Sequence, residues 1–466
     1  MTKSYDLIIL GGGVGGYTAA IRASQLGMKT AIIEKNQVGG TCLHEGCIPT
    51  KAFLKSAEVL QQIHRAERFG IENAFASLNF TSVAERKNNI VNALYKGVQQ
   101  LMKQAKVDIF VGHGKIESAP QQAEDEQFTV SVNEDTVLRG TRILIATGAK
   151  SRWISEAPIN HDLVLSSADM VKLTQLPESL TIIGGGVIGV EWASMMADFG
   201  VRVTLLEVAD RLLPNEDRHI SEAMQKSLKK KAVNCLTGIT DLDITTEDKV
   251  TVQCVKEGEP YDVTSDLLLV AVGREALTHD LGLQDVGINT ERSAIAVDDY
   301  QQTNIQGIYA CGDCTEGPQL AHKAAWQGKM AVEHAAGLNV EPMPMHMIPR
   351  CVYGAPQAAS VGFTEEELQT KNISYQAKTF PFQLNGKALI EDTEGFAKLL
   401  YDHASGDVLG IHLFGDHVTE MIAAGTMSLY VNGAVNEVAE MVFPHPTISE
   451  SLNEAAKMAI GTPVHI

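Results

Sequence analysis

Two stretches of the chain repeat one plan, and that repetition constrains the fold more than any other feature. The first runs from the apolar segment Asp6-Leu7-Ile8-Ile9-Leu10 through Gly11-Gly12-Gly13-Val14-Gly15-Gly16 and a helical pattern to Leu26, then closes on Thr30-Ala31-Ile32-Ile33-Glu34. The second runs from Leu180-Thr181-Ile182-Ile183 through Gly184-Gly185-Gly186-Val187-Ile188-Gly189 and a helical pattern to Phe199, then closes on Val203-Thr204-Leu205-Leu206-Glu207. In each copy the closing glutamate, at 34 or 207, stands 23 residues after the first glycine. Strand, G-x-G-x-x-G turn, helix and acidic strand end together make the βαβ unit of dinucleotide-binding sheets. Such glycines let the backbone approach a pyrophosphate, and the helix N-terminus favours its negative charge. Gly11, Gly13 and Gly16 are therefore candidate cofactor contacts, as are Gly184, Gly186 and Gly189. Glu34 and Glu207 would accept hydrogen bonds from ribose hydroxyls. A carboxylate at Glu207 disfavours a 2′-phosphate, so the second site is expected to take NAD rather than NADP, although Arg211 nearby argues otherwise. The alternative is that these glycines only make tight turns.

A chain of 466 residues is too long for one core, and roughly two to four domains are expected. The net charge of −19 argues against nucleic acid or an anionic membrane as partner. It suits a basic protein partner, or simply solubility. No apolar run reaches the roughly 18 residues of a membrane span. The start, Met1-Thr2-Lys3-Ser4-Tyr5-Asp6, enters a strand almost at once and leaves no room for a signal peptide. Seven scattered cysteines do not read as a secreted disulfide framework. A reducing cytoplasm fits best, and there a disulfide is more often catalytic than structural.

Against that background the run Gly39-Gly40-Thr41-Cys42-Leu43-His44-Glu45-Gly46-Cys47-Ile48-Pro49-Thr50-Lys51 stands out. Two thiols this close can form a small disulfide that accepts two electrons, which a neighbouring dinucleotide can supply or drain. A helix led by Pro49, Lys51 to His64, follows directly, and thiols beside a helix N-terminus have lowered pKa values. The alternatives are buried thiols or half of a metal site. No second Cys/His cluster lies at zinc spacing, so no metal is expected and redox chemistry is favoured.

Further along, Thr81 to Ala105 has the pattern of an amphipathic helix. Strands are expected at Ile109–Val111, Phe128–Val132 and Ile143–Ala146, the last ending in Thr147-Gly148. Others are expected at Asp266–Val272, before Gly273-Arg274, and at Ile308–Ala310, before Cys311-Gly312-Asp313-Cys314. That second cysteine pair has redox spacing but no thioredoxin-like context, so non-catalytic thiols are expected. Lysines 226, 229, 230 and 231 read as a solvated helix face. From about 346 the pattern changes to Phe396–Tyr401 and Val408–Phe414 around a Ser405-Gly406 turn, followed by helices. In His445-Pro446-Thr447-Ile448-Ser449-Glu450, Thr447 and Glu450 could form a capping box for a helix Ser451 to Ala459. His445 could instead be a general base oriented by Glu450, which would also raise its basicity.

Taken together these motifs resemble the pyridine nucleotide-disulfide oxidoreductases, and within them the dihydrolipoamide dehydrogenases, over essentially the whole chain. The resemblance rests on both fingerprints, the Gly39–Lys51 run, Ala146-Thr147-Gly148, Val272-Gly273-Arg274, Gly312-Asp313, Leu320-Ala321-His322 and the His445–Glu450 run. Cys-Leu-His-x-Gly-Cys with Val190-Glu191-Trp192-Ala193-Ser194 is more particularly similar to members serving branched-chain 2-oxo acid dehydrogenase complexes. The resemblance implies an α/β fold with two Rossmann-like nucleotide-binding domains and a C-terminal α+β dimerisation domain. Its implied limits are 1–149 for FAD binding, 150–272 for NAD binding, 273–345 completing the FAD site, and 346–466 for the dimer interface.

It implies FAD on the first fingerprint and NAD on the second, Cys47 facing the flavin and Cys42 exchanging with lipoamide. Lys51 and Glu191 would pair beside the flavin's reactive nitrogen, and Asp313 would hold its ribityl chain. Thr147, Gly148, Gly273, Arg274 and His322 join the cofactor-binding set. In the implied homodimer His445 and Glu450 serve the partner's redox pair. Lipoamide would arrive on the lipoyl domain of another protein. The chain departs from the family pattern at His44-Glu45, Cys311, Cys314, Trp326-Gln327 and Gln357. Rival readings are a glutathione-type NAD(P)H-dependent disulfide reductase, which Glu207 opposes, and a redox-inert nucleotide-binding scaffold. The tail, Gly461 to Ile466, carries no further thiol pair, which disfavours mercuric reductase and the larger thioredoxin reductases.

Overall fold

A computed structural model describes residues 3–119, 127–133, 135–157 and 160–465. Met1, Thr2 and Ile466, which entered the reading of the two ends, lie outside the described residues. The chain groups into two compact units. The first comprises Met1–Ala52, Thr81–Arg152 and Gly273–Met343, and the second Phe53–Phe80, Trp153–Val272 and Pro344–Ile466.

The first unit is built on a parallel sheet of five strands. Leu7–Leu10 lies at its centre, between Ile143–Ile145 and Thr30–Glu34, with Ile308–Ala310 and Asp108–Val111 at the edges. A strand buried on both faces reads as an unbroken apolar run, and Leu7-Ile8-Ile9-Leu10 is buried throughout. One face of this sheet packs with Ala19, Ala20, Ala23, Val98, Met102, Ala331 and Val332, from the helices Val14–Gln25, Phe80–Gln104 and Ala321–Ala335. On the other face a four-stranded sheet contributes Tyr5, Ile116, Phe128, Val130 and Leu138. Its strands Lys3–Tyr5 and Thr136–Gly140 pair in parallel.

The second unit repeats the plan. Ser179–Ile183 is flanked by Arg202–Glu207 and Leu267–Val270, with Asn234–Thr237 and Val164–Leu165 at the edges, all parallel. A three-stranded antiparallel meander, Ile239–Thr246, Val250–Lys256 and Glu259–Ser265, follows. The C-terminal part is an antiparallel five-stranded sheet in which Phe396–Tyr401 and Val408–Gly415 are central, packed by helices Val418–Tyr430 and Glu450–Ala459.

The lysine row departs from expectation at one position. Lys226, Lys229 and Lys230 are exposed, but Lys231 is mostly buried, with Nζ 2.7 and 2.6 Å from the two Asp198 carboxylate oxygens. It thereby anchors the C-terminal end of helix Val187–Asp198, which carries Glu191. Among the described residues no helix is long and apolar enough to cross a membrane.

Candidate functional site

The glycines of each fingerprint divide into two kinds. Gly11 has φ of 101°, and a Cβ there would collide with the Ala146 carbonyl; a Cβ on Gly16 would overlap the Gly11 carbonyl oxygen. In the second copy Gly184, with φ of 110°, meets the Ala271 carbonyl and Gly189 the Gly184 carbonyl in the same way. These four positions are required by strand–helix packing, as the tight-turn reading holds. The middle glycines are different. A Cβ on Gly13 finds its nearest neighbour, Gly40 Cα, at 3.9 Å, and one on Gly186 finds nothing within 4 Å. Both are extended N-caps without a side-chain cap, so the first helical amides are not covered by a cap residue. The open cradle over a helix N-terminus fits a pyrophosphate group.

Glu34 Oε2 accepts the Gly12 N–H at 2.7 Å and Oε1 the Asn36 N–H at 2.8 Å. Glu207 binds Gly185 N–H through Oε2 and Ala209 N–H, at 2.7 Å, through Oε1. Each carboxylate thus braces its own glycine turn, and each oxygen keeps a further lone pair for a hydroxyl. Arg211 is spoken for: its guanidinium pairs with Glu366 at 2.8 Å and donates to the Pro214 carbonyl at 3.0 Å. Arg211, the residue that argued for a 2′-phosphate, is therefore committed to the protein.

Thr147, Gly148, Gly273, Arg274 and Asp313 converge in the first unit. Thr147 Oγ1 donates to the Leu277 carbonyl at 2.6 Å, and the Gly148 carbonyl accepts the Leu277 N–H at 2.9 Å. The short strands Ala149–Ser151 and Arg274–Ala276 pair antiparallel beside them. The Arg274 guanidinium donates to the Ala149 carbonyl and stands 3.9 Å from the Asp313 carboxylate. Burial pushes the Asp313 carboxyl up, against Arg274 and Lys323. Gly312 donates its N–H to the buried Gln327 side chain at 2.9 Å, which fixes the turn that presents Asp313. His322 is exposed at the start of its helix, whereas the next residue, Lys323, is 1% exposed, with Nζ 2.9 Å from the Glu316 carbonyl. Lys323 was not singled out from the sequence, where nothing separates it from any other helical lysine. Cys311 and Cys314 are fully buried thiols; Cys314 Sγ donates to the Cys311 carbonyl at 3.2 Å, and burial raises both.

Cys42 lies on the short helix Gly40–His44, and Cys47 opens the helix Cys47–His64, four residues before the expected start. Both are partly exposed thiols, hydrogen-bonded to each other. The expected lowering is reversed at Cys42: its hydrogen bond with Cys47 and then burial hold it protonated, outweighing the nearby Lys51 ammonium. Two hydrogen-bonded sulfurs beside a cation are placed to interconvert between dithiol and disulfide, the pair giving up two protons and two electrons to an acceptor as the disulfide forms. The Gly39 N–H donates to the Gly12 carbonyl at 2.8 Å, tying the run to the first fingerprint.

Glu191, His445 and Glu450 belong to the second unit, Cys42, Cys47 and Lys51 to the first. Glu191 is 3% exposed and accepts the Tyr353 N–H at 3.0 Å. His445 is exposed, with Nδ1 3.0 Å from Glu450 Oε1, while Glu450 Oε2 accepts the Thr447 N–H at 2.8 Å. One carboxylate therefore serves both readings of this segment. The capping box is only half made, because Thr447 Oγ1 donates to the Pro444 carbonyl at 2.9 Å and the helix begins at Glu450 with Ser449 as N-cap. The carboxylate fixes Nδ1, which leaves Nε2 as the ring atom able to take a proton.

Residues 5–328 match the family model described as pyridine nucleotide-disulphide oxidoreductase, and residues 348–456 match its dimerisation domain. A dihydrolipoyl dehydrogenase of Bacillus subtilis is 44% identical over the full length of both chains. One from Zymomonas mobilis is 37% identical, again over both full lengths. Among solved structures, LpdA from Mycobacterium tuberculosis superposes with a TM-score of 0.89 at 26% identity, covering 98% of this chain and 99% of that one. The HOCl-induced flavoprotein disulfide reductase RclA from Escherichia coli gives 0.84 at 28% identity, covering 97% of this chain and all of that one. With both nucleotide fingerprints, the paired thiols and a full-length family match in place, the chain belongs to the pyridine nucleotide-disulphide oxidoreductases.

Proposed function

We propose that this protein oxidises protein-bound dihydrolipoamide to lipoamide and passes the electron pair to NAD. The observation that carries the reading is the hydrogen-bonded pair Cys42–Cys47, with Lys51 one turn away and its loop tied to the first fingerprint. In the oxidised enzyme one lipoyl thiolate attacks Cys42 Sγ, forming a mixed disulfide and releasing Cys47 as a thiolate. The second lipoyl thiolate then attacks the lipoyl sulfur of that mixed disulfide, closes the lipoamide ring and releases Cys42. His445, its Nδ1 held by Glu450, takes up protons from the incoming dithiol at Nε2. FAD, held by the first fingerprint with Thr147, Gly148, Arg274 and Asp313, supplies the two-electron relay when bound, and NAD on the second fingerprint is the final hydride acceptor.

The dimerisation-domain match supports a homodimer in which His445 and Glu450 act on the partner's redox pair. Segments 1–149 and 273–345 would hold FAD, 150–272 NAD, and 346–466 the partner subunit. The partner substrate is the lipoyl domain of a 2-oxo acid dehydrogenase complex, of the branched-chain type by the Cys-Leu-His-x-Gly-Cys form, and the compartment is the cytoplasm. Cys42→Ser tests the core of this reading. It should abolish lipoamide turnover and leave flavin reduction by NADH intact, since only the exchange step uses Cys42. Retained lipoamide activity in that variant would overturn the assignment.

A further inference from the structure

His44 stands between the two cysteines, at the end of helix Gly40–His44. Its Nε2 lies 3.0 Å from the Val38 carbonyl oxygen. A carbonyl only accepts, so this nitrogen carries the proton and donates it. The ring also meets Tyr95 edge-on, with centroids 5.2 Å apart and planes at 72°.

The carbonyl that His44 holds belongs to an unusual turn. Gly39 has φ of 110° and Gly40 φ of 61°, and Gly39 gives its N–H to the Gly12 carbonyl at 2.8 Å. Two successive glycines in the left-handed region make the backbone here easy to deform. The side chain of His44 closes that turn back onto the helix carrying Cys42. A line of hydrogen bonds and chain therefore runs from the nucleotide fingerprint at Gly12, through Gly39 and Val38, to His44 and the sulfur pair.

We propose that His44 is a positioning residue that presets the approach of Cys42 to Cys47 by clamping the Val38–Gly40 turn. It acts on the sulfurs through the loop. The inference rests on the reading of Cys42 and Cys47 as a redox pair. Holding one sulfur near the other raises its effective concentration, which favours the disulfide over the dithiol. Removing the clamp shifts that equilibrium toward the dithiol, so the midpoint potential rises. Loss of one hydrogen bond of ordinary strength corresponds to about a tenfold change, or about 30 mV for this two-electron couple.

The test is equilibration of the purified holoprotein in graded dithiothreitol buffers, followed by acid quench, alkylation and mass measurement of the Cys42–Cys47 peptide. Each disulfide reduced takes two electrons and two protons from one dithiothreitol, which closes to its own cyclic disulfide. His44→Phe keeps a ring against Tyr95 but loses the donor, and should raise the potential by about 30 mV. His44→Gln returns an N–H near the same place and should recover most of that shift. Tyr95→Leu, which spares the hydrogen bond, should change the equilibrium less than about threefold, well under one hydrogen bond, and it keeps the proposal testable if His44→Phe does not fold. An unchanged potential in His44→Phe overturns the clamp, as does an equal shift in all three variants. A wild-type pair that never forms a disulfide would instead overturn the redox reading beneath it.

Discussion

The contrast between Gly186 and Gly189 separates what the second fingerprint does for the fold from what it does for a ligand. A Cβ on Gly189 would overlap the Gly184 carbonyl oxygen. Restoring an ordinary carbon–oxygen contact of roughly 3.3 Å requires that carbonyl to retreat by about an ångström or more. That is overpacking between two buried glycines, with an expected cost of about 3 kcal/mol for Gly189→Ala. At roughly 2–4 °C per kcal/mol for a unit of this size, the melting temperature should fall by about 6–12 °C. At Gly186 a Cβ meets nothing within 4 Å, and the backbone, at φ −74° and ψ −174°, suits any residue. Alanine is a poorer N-cap than glycine, but it also reduces the entropy of the unfolded chain, so the two effects offset to within about 1 kcal/mol. Gly186→Ala should therefore melt within about 3 °C of wild type. Its methyl group nevertheless occupies the cradle proposed for the pyrophosphate, and NADH affinity should fall at least about tenfold, or about 1.4 kcal/mol. Thermal unfolding by circular dichroism and NADH titration by fluorescence read the two quantities separately. If Gly186→Ala melts as low as Gly189→Ala, or binds NADH as wild type does, the division of the glycines is wrong.

Three further expectations concern single side chains. His445→Ala should slow lipoamide turnover by about 100-fold or more, the scale of a general base; a rate near wild type would return the segment to a purely capping role. Asp217→Asn should destabilise the protein by about 3–5 kcal/mol in denaturant titration, because it strips one of two carboxylates from the buried Lys398 ammonium, 2.6 Å away; a loss under about 1 kcal/mol would show that Glu365 alone suffices. His412 is fully buried, with Nε2 donating to the Phe363 carbonyl at 2.9 Å among Asp217, Glu216 and Arg350, and burial holds it below the usual histidine value. The unfolded chain takes up that proton below about pH 6.5 while the folded chain does not, so stability should fall as pH drops from about 6.5 toward 5. His412→Gln should lose that part of the slope, and an identical slope in the variant would contradict it.

Much of this was legible in the sequence because its causes are local. Gly11, Gly16, Gly184 and Gly189 mark places where a side chain would strike a backbone a few residues away or in the neighbouring strand, and buried parallel strands such as Leu7–Leu10 are unbroken apolar runs. The pairing of Lys3–Tyr5 with Thr136–Gly140 left no such mark, since nothing in either strand states its register with a segment 135 residues away. The meander Ile239–Ser265 went unread because its outer strands are largely solvent-facing and rich in Asp, Thr and Glu, which blurs alternation. At the site, residue types announced Cys42, Cys47, Glu34 and Glu207, but not their partners. That Arg211 is tied to Glu366, that Lys231 holds Asp198, and that Gln327 fixes the Gly312 amide all depend on which distant segment folds alongside. The raised Cys42 thiol belongs to the same class: a helix N-terminus can be read from sequence, but a hydrogen bond between two sulfurs and their burial cannot.

The most direct test of the central claim is the rate of NAD reduction by dihydrolipoamide on the purified protein, with NADP run in parallel. Rapid turnover with NAD and little with NADP is the predicted result, joining the thiol pair, Glu207 and the committed Arg211 in one observation. No turnover with dihydrolipoamide, in a protein whose flavin NADH still reduces, would contradict the proposed substrate and direct the search to another disulfide, beginning with glutathione.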